Sequence, residues 1–132
     1  MIRILLADDY TIIRKGVRQI LTQAYPHVVF EEIEEGEEWT EKLHTTTWDM
    51  VISDLHMPDR GGFDTLQRIR ERFPELPVLI LSLYPKENYA VRAIKAGAAG
   101  YIEKDAAPDE LIMAVGRILS GKKYIALPGI EN

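Results

Sequence analysis

The chain contains no cysteine, which excludes a disulfide framework, a thiolate nucleophile and a cysteine-ligated zinc or iron–sulfur centre. Stability has to come from packing. Long apolar runs are missing too. The first run, Ile4 to Ala7, stops at Asp8-Asp9, too short and too acidic for a signal peptide. No other run approaches the ~18 apolar residues of a membrane span, so a cytoplasmic protein without a membrane partner is the expectation. Basic residues are in deficit, 16 against 21 acids for a net charge of −5. The chain as a whole therefore lacks the electrostatic footprint of a nucleic-acid binder. What is present is one domain's worth of sequence: 132 residues, 46% of them hydrophobic, enough for a single core.

Short Ile/Val/Leu-rich runs alternate with longer stretches of helical periodicity, the pattern of repeated βα units. Ile2 to Ala7 reads as a strand. Ile13, Val17, Ile20, Leu21 and Ala24 follow at helical spacing, with Arg14, Lys15 and Arg18 opposite, until Pro26. Val28-Val29-Phe30 begins a second strand, and Trp39 with Leu43 marks a short helix. Met50 to Ser53 is the third strand, followed by a Pro58/Gly61/Gly62 loop and a helix carrying Phe63, Leu66, Ile69 or Arg70, and Phe73. Val78 to Leu81 is the fourth strand. The helix after it places Tyr89, Ala90, Ile94 and Ala98 on one face, with Gly97 near its end. Gly100-Tyr101-Ile102 is the fifth strand, and Pro108 opens a last helix whose Leu111, Val115, Ile118 and Leu119 form a stripe ending at Gly121. Runs apolar on both faces suit a parallel sheet covered by helices. The reading is an α/β fold, a doubly wound five-stranded parallel sheet. Residues 1–121 form the domain, and 122–132 are a tail or the start of a linker in which Tyr124 to Leu127 is apolar enough to pack.

The acidic excess is local. Seven acids and no base fall between Glu31 and Glu41, and without them the rest of the chain is net positive by two. That stretch reads as a solvated face. Three other acids matter more, because ligands of open α/β sheets bind outside the carboxyl ends of the strands. Asp8 and Asp9 follow the first strand, Asp54 the third, Ser82 the fourth and Lys104 the fifth. Singly, each has a structural reading as a helix cap, turn residue or solvated charge. Jointly, a parallel sheet gathers them along one edge, where three carboxylates repel unless a hard cation such as Mg²⁺ is held among them. A metal, carboxylates, a hydroxyl and an ammonium suggest phosphoryl chemistry. Asp54, alone on a central strand, is the better candidate for a nucleophile. Lys104 and Ser82 would then meet the charge of the transferred group.

Asp8-Asp9, Asp54-Leu55-His56-Met57-Pro58, Ser82 and Lys104, in this order of elements, resemble the receiver domain of two-component response regulators over about residues 1–121. Gly97 to Tyr101, Lys104-Asp105-Ala106 and Pro108 to Leu111 resemble the NarL/FixJ branch, whose receivers precede a LuxR-type helix-turn-helix. The resemblance implies a flavodoxin-like (βα)5 fold of strand order 2-1-3-4-5 and a phosphoacceptor signalling domain rather than an enzyme with an external substrate. It implies phosphoryl transfer from a sensor histidine kinase to Asp54, with self-dephosphorylation. Mg²⁺ would be held by Asp9, Asp54 and the backbone carbonyl of His56, with Asp8 acting directly or through water. Lys104 would pair with the acyl phosphate, Ser82 would move toward it, and Tyr101 would turn inward as the switch aromatic. The surface of the fourth helix, fifth strand and fifth helix would change, controlling transcription through a DNA-binding domain outside this chain. A homodimer is allowed. Ser82 stands where threonine is common. Arg60 stands where an apolar residue is usual, and nothing in the pattern explains it.

His56 and Tyr84, each two residues beyond a site residue, are expected to flank the phosphate and control water access. Other candidates have plain readings. His27 and His44 read as surface residues, and Trp39 and Trp48 as packing around the second helix. Arg14 and Arg18 read as a solvated face, or as a kinase-docking surface. Ile112 and Met113 lie outside the last helix's main stripe and read as a dimer or output contact. Three rival readings meet obstacles in the residues. A haloacid-dehalogenase-type phosphatase needs an acid two residues after its nucleophile, where this chain has His56, and a cap segment. A flavodoxin-like nucleotide binder needs a phosphate-binding loop where Asp8-Asp9-Tyr10 stand. A degenerate receiver acting only as an interaction module would have lost some of the five site residues.

Overall fold

In a computed structural model of the chain, the described residues are 2–7, 11–33, 38–54 and 63–125. They form six strands and five helices in alternation. β1 (Arg3–Ala7), β2 (Val29–Ile33), β3 (Met50–Asp54), β4 (Val78–Ser82) and β5 (Gly100–Glu103) alternate with α1 (Thr11–Ala24), α2 (Glu38–Thr45), α3 (Asp64–Arg72), α4 (Lys86–Lys95) and α5 (Pro108–Leu119). The strands are parallel and ordered β2-β1-β3-β4-β5, as expected. A two-residue strand, β6 (Tyr124–Ile125), adds to the free edge of β5.

Alternation along each strand divides the core between the two faces, because successive side chains of a strand point to opposite sides. Leu5, Ala7, Val51, Val78, Ile80 and Tyr101 pack with Leu43, Leu66, Ile69, Ala90 and Ala93 beneath α2, α3 and α4. Ile4, Leu6, Met50, Ile52, Leu79, Leu81 and Ile102 pack with Val17, Leu21, Leu111, Val115 and Ile118 beneath α1 and α5. Each fully buried aliphatic side chain contributes roughly 1.5–3 kcal/mol relative to exposure.

Sequence signals placed most boundaries within a residue or two. Ala98 is an exception, since α4 stops at Lys95 and Gly97 takes φ +109°, a conformation suited to glycine. Ala98 therefore belongs to the connection into β5, where it is fully buried. Pro108 opens α5, and Gly121, at φ +91°, follows its end. Beyond Gly121 the chain turns back onto the sheet. Tyr124 N–H donates to Ala99 O at 2.9 Å, its ring is buried, and its hydroxyl lies 3.3 Å from Glu110 Oε1.

Candidate functional site at the carboxyl ends of the strands

Parallel pairing puts every strand's carboxyl end on one edge of the sheet, and the registers set how closely they align. Ala7 pairs with Ser53, Asp54 with Leu81 and Ser82 with Glu103. Lys104 N–H then donates to Ser82 O at 2.7 Å, extending the ladder by one step. Asp54 and Ser82 are the last residues of β3 and β4, so they sit in the sheet rather than in the loops that follow.

Asp54 continues the Met50, Ile52 face of β3, and Lys104 continues the Ile102 face of β5. Both belong to the side covered by α1 and α5, and their side chains meet. Lys104 Nζ lies 2.6 Å from Asp54 Oδ1, with each side chain only 2% exposed. Removing two charges from water costs several kcal/mol per ion, which short contact offsets only in part. Such a pair is poorly explained by stability alone, and buried charge partners in a cleft are a mark of functional sites.

Ser82 continues the Val78, Ile80 face and belongs with Tyr101 on the opposite side. Its Oγ accepts the Tyr84 N–H at 2.9 Å, while the Tyr101 hydroxyl donates to Tyr84 O at 2.7 Å. Tyr101 is thus turned inward, 1% exposed. Burial pushes its hydroxyl above the ordinary tyrosine range, and a hydrogen bond from Ser82 opposes that shift. The backbone of Tyr84 as the joint between Ser82 and Tyr101 has no signal in residue types, because any residue but proline supplies both groups.

Asp8, Asp9 and His56, with the rest of segments 8–10 and 55–62, including Arg60, lie outside the described residues. Among the described residues no group of three His, Asp or Glu side chains gathers to hold a metal. Of the expected metal ligands only Asp54 is described, and its carboxylate is the hard oxygen donor that Mg²⁺ takes.

The other candidate residues take the following places. Arg14 and Arg18 both turn to Glu32 of β2, at 3.6 and 3.1 Å, and Arg18 also stands over the Phe30 ring. Arg14 is largely covered, whereas Arg18 stays on the solvated face with its side chain 53% exposed. Lys42 pairs with Glu31 at 3.4 Å, so Glu31 and Glu32 of the acidic stretch each meet a base along the β2 edge, which keeps that edge charged. Trp48 is buried, its indole N–H donating to Lys42 O at 3.0 Å. His27 is exposed; His44 is also exposed, though its ring packs against Phe73. The Trp39 side chain is outside the described set. Met113 is exposed, whereas Ile112 packs against the α1/α5 core. Among the described residues no helix is long and apolar enough to cross a membrane.

A doubly wound parallel sheet of order β2-β1-β3-β4-β5, with a buried aspartate–lysine pair at its carboxyl edge, defines a class of flavodoxin-like α/β domains. Within it, residues 4–116 match the family model for the response regulator receiver domain, and the chain belongs to that family. It is similar to the response regulator UvrY of Escherichia coli, 33% identical over 126 residues that cover 96% of this chain and 58% of UvrY. The chain thus spans a little over half the length of that relative. A LuxR-family two-component response regulator from Aurantimonas superposes with a TM-score of 0.79 at 33% identity, covering 96% of this chain and 89% of that one. The isolated receiver domain of RcsB from Salmonella enterica serovar Typhimurium, solved in the presence of the phosphomimetic BeF3−, superposes with a TM-score of 0.79 at 26% identity, covering 94% and 92%.

Proposed function

We propose that this chain is the phosphorylation switch of a two-component system, with Asp54 as phosphoacceptor. The observation that carries the reading is the buried Asp54–Lys104 pair at the carboxyl edge of the sheet, with Ser82 ending the strand between them. In the reaction, an Asp54 carboxylate oxygen attacks the phosphorus of a phosphohistidine on a sensor kinase. The P–N bond breaks, its electrons and a proton go to the imidazole, and an acyl phosphate forms. Attack by water on phosphorus later returns carboxylate and phosphate, so the domain turns over its own phosphoryl group and no external substrate.

Lys104, already against Oδ1, would neutralise charge on the phosphoryl oxygens. Ser82 would donate its hydroxyl to one of them after leaving the Tyr84 N–H. Mg²⁺ would be held by Asp9, Asp54 and the His56 carbonyl, with Asp8 acting directly or through water, and would supply charge neutralisation in the same place. The added charge of about −1.5 to −2 would be read out through Ser82 and Tyr101 at the surface of α4, β5 and α5. The LuxR-type likeness supports transcription control through a DNA-binding domain outside these residues. A cytoplasmic setting follows from a kinase partner, and exposed Met113 on α5 is available to a homodimer.

The test is intact-mass measurement after incubation with Mg²⁺ and acetyl phosphate. One phosphoryl group should add to the unmodified chain and to Asp64→Asn, and none to Asp54→Asn. An adduct that survives Asp54→Asn, or no adduct on the unmodified chain, overturns the reading.

A further inference from the structure

The β4–α4 connection carries contacts that phosphoryl transfer does not itself require. Tyr84 N–H holds Ser82 Oγ and Tyr84 O holds the Tyr101 hydroxyl, so wherever the Tyr84 backbone goes, both side chains must adjust. The Tyr84 ring stands edge-on to Tyr89 of α4, with centroids 5.5 Å apart and planes at 64°, a favoured aromatic geometry. Arg92 lies three residues beyond Tyr89, on the same side of the helix. Its guanidinium carbon is 5.3 Å from the Tyr89 ring and 5.4 Å from the ring of Phe63, the residue that leads into α3. Both distances are within the attractive range of a cation on an aromatic face. One guanidinium therefore ties α4 to the start of α3, and through Tyr89 it backs the ring of Tyr84.

We propose that Arg92 and Tyr89 are positioning residues for the Ser82 hydroxyl, clamping Tyr84 against α4 so that Ser82 Oγ stays on the Tyr84 N–H. The proposal rests on the reading of Asp54 as phosphoacceptor. Ser82 lies on the α3/α4 side of the sheet and Asp54 on the α1/α5 side. Reaching a phosphoryl group on Asp54 means breaking the Ser82–Tyr84 bond or shifting the whole connection, and a shift drags the Tyr84 ring from Tyr89. The clamp opposes that movement. Loosening it should release the hydroxyl and speed phosphorylation by a small donor.

The experiment uses the full chain labelled with ¹⁵N, following the Tyr84 amide resonance without phosphodonor and the rate of Asp54 phosphorylation with Mg²⁺ and acetyl phosphate. Arg92→Gln and Tyr89→Leu should move the Tyr84 amide toward the position of an unbonded amide and raise the rate about two- to fivefold, the worth of an exposed cation–π contact. Tyr89→Phe, which keeps the ring, should leave both near the unmodified values. Arg92→Lys, which keeps the cation, should fall between the unmodified chain and Arg92→Gln. An unmoved Tyr84 amide in Arg92→Gln and Tyr89→Leu overturns the clamp, as does a Tyr89→Phe variant that behaves like Tyr89→Leu. If the unmodified chain takes no phosphoryl group, the Asp54 reading fails, while the Tyr84 amide still decides whether the clamp exists.

Discussion

Replacing Lys104 by methionine keeps most of the side chain's length and removes its charge, leaving Asp54 buried without the ammonium 2.6 Å away. At that separation, and at an effective dielectric constant near 20, the lost attraction is about 6 kcal/mol. The ammonium's own desolvation penalty disappears with it, so the net cost is smaller. Breaking a buried pair by removing one partner typically destabilises by about 3–5 kcal/mol. Against a stability of about 5–15 kcal/mol, that is a large fraction. For a domain of this size the melting temperature should fall by about 10–20 °C. The assay is urea unfolding of the unmodified chain, Lys104→Met, Asp54→Asn and the double variant. The double variant should recover part of the loss, with a coupling of about 2–3 kcal/mol. A Lys104→Met variant within about 1 kcal/mol of the unmodified chain, or a coupling near zero, would refute the claim that the two charges depend on one another.

Tyr101 and Tyr124 are both pushed by burial above the ordinary tyrosine value near 10. Above that pH the unfolded chain releases protons that the folded chain retains, so stability is intact below about pH 10 and declines as pH rises further. Tyr101→Phe should lower stability at neutral pH by about 1 kcal/mol through loss of the bond to Tyr84 O, and should make the alkaline decline shallower; equal slopes in a urea series from about pH 8 to 11 would contradict this. Gly100→Ala would place a Cβ 3.0 Å from Leu79 Cδ1 and 3.1 Å from both Ile118 Cδ1 and Tyr124 O. The expected cost is about 1–3 kcal/mol, together with faster amide exchange at Tyr124, whose unchanged protection would show that β6 does not depend on close approach there. His56→Ala and Tyr84→Ala should each alter the rate of phosphate loss from Asp54, and rates equal to the unmodified chain in both would remove their assignment as flanking residues.

Most of the scaffold was legible locally. Strand runs apolar on both sides, Pro108 opening α5, and glycines just past α4 and α5 are signals that act over a few residues, and the structure follows them closely. The same locality explains Ala98. Its spacing continues the helical stripe of Tyr89, Ala90 and Ile94, yet the turn at Gly97 carries it into the strand connection instead. Arg18 keeps its place on the solvated face, while the cover over Arg14 is invisible to spacing because its partner, Glu32, lies on another element. The two residues of β6 were too few to show periodicity. Only the free edge of β5 and the buried Tyr124 ring make them a strand.

By itself, the order of residues determined the βα alternation and the polar residues that follow successive strands. Both depend on local propensity and on the two-residue period of a strand. It also carried the family, since the dispersed acids, hydroxyl and lysine keep their places along the chain. Tertiary structure alone decided which of these residues touch. Alternation and parallel register send Asp54 and Lys104 to one face and Ser82 and Tyr101 to the other. Pairing distances, burial and the joint at the Tyr84 backbone arise from elements distant in sequence, because contact free energy depends on which surfaces meet, and one-dimensional spacing does not contain that information.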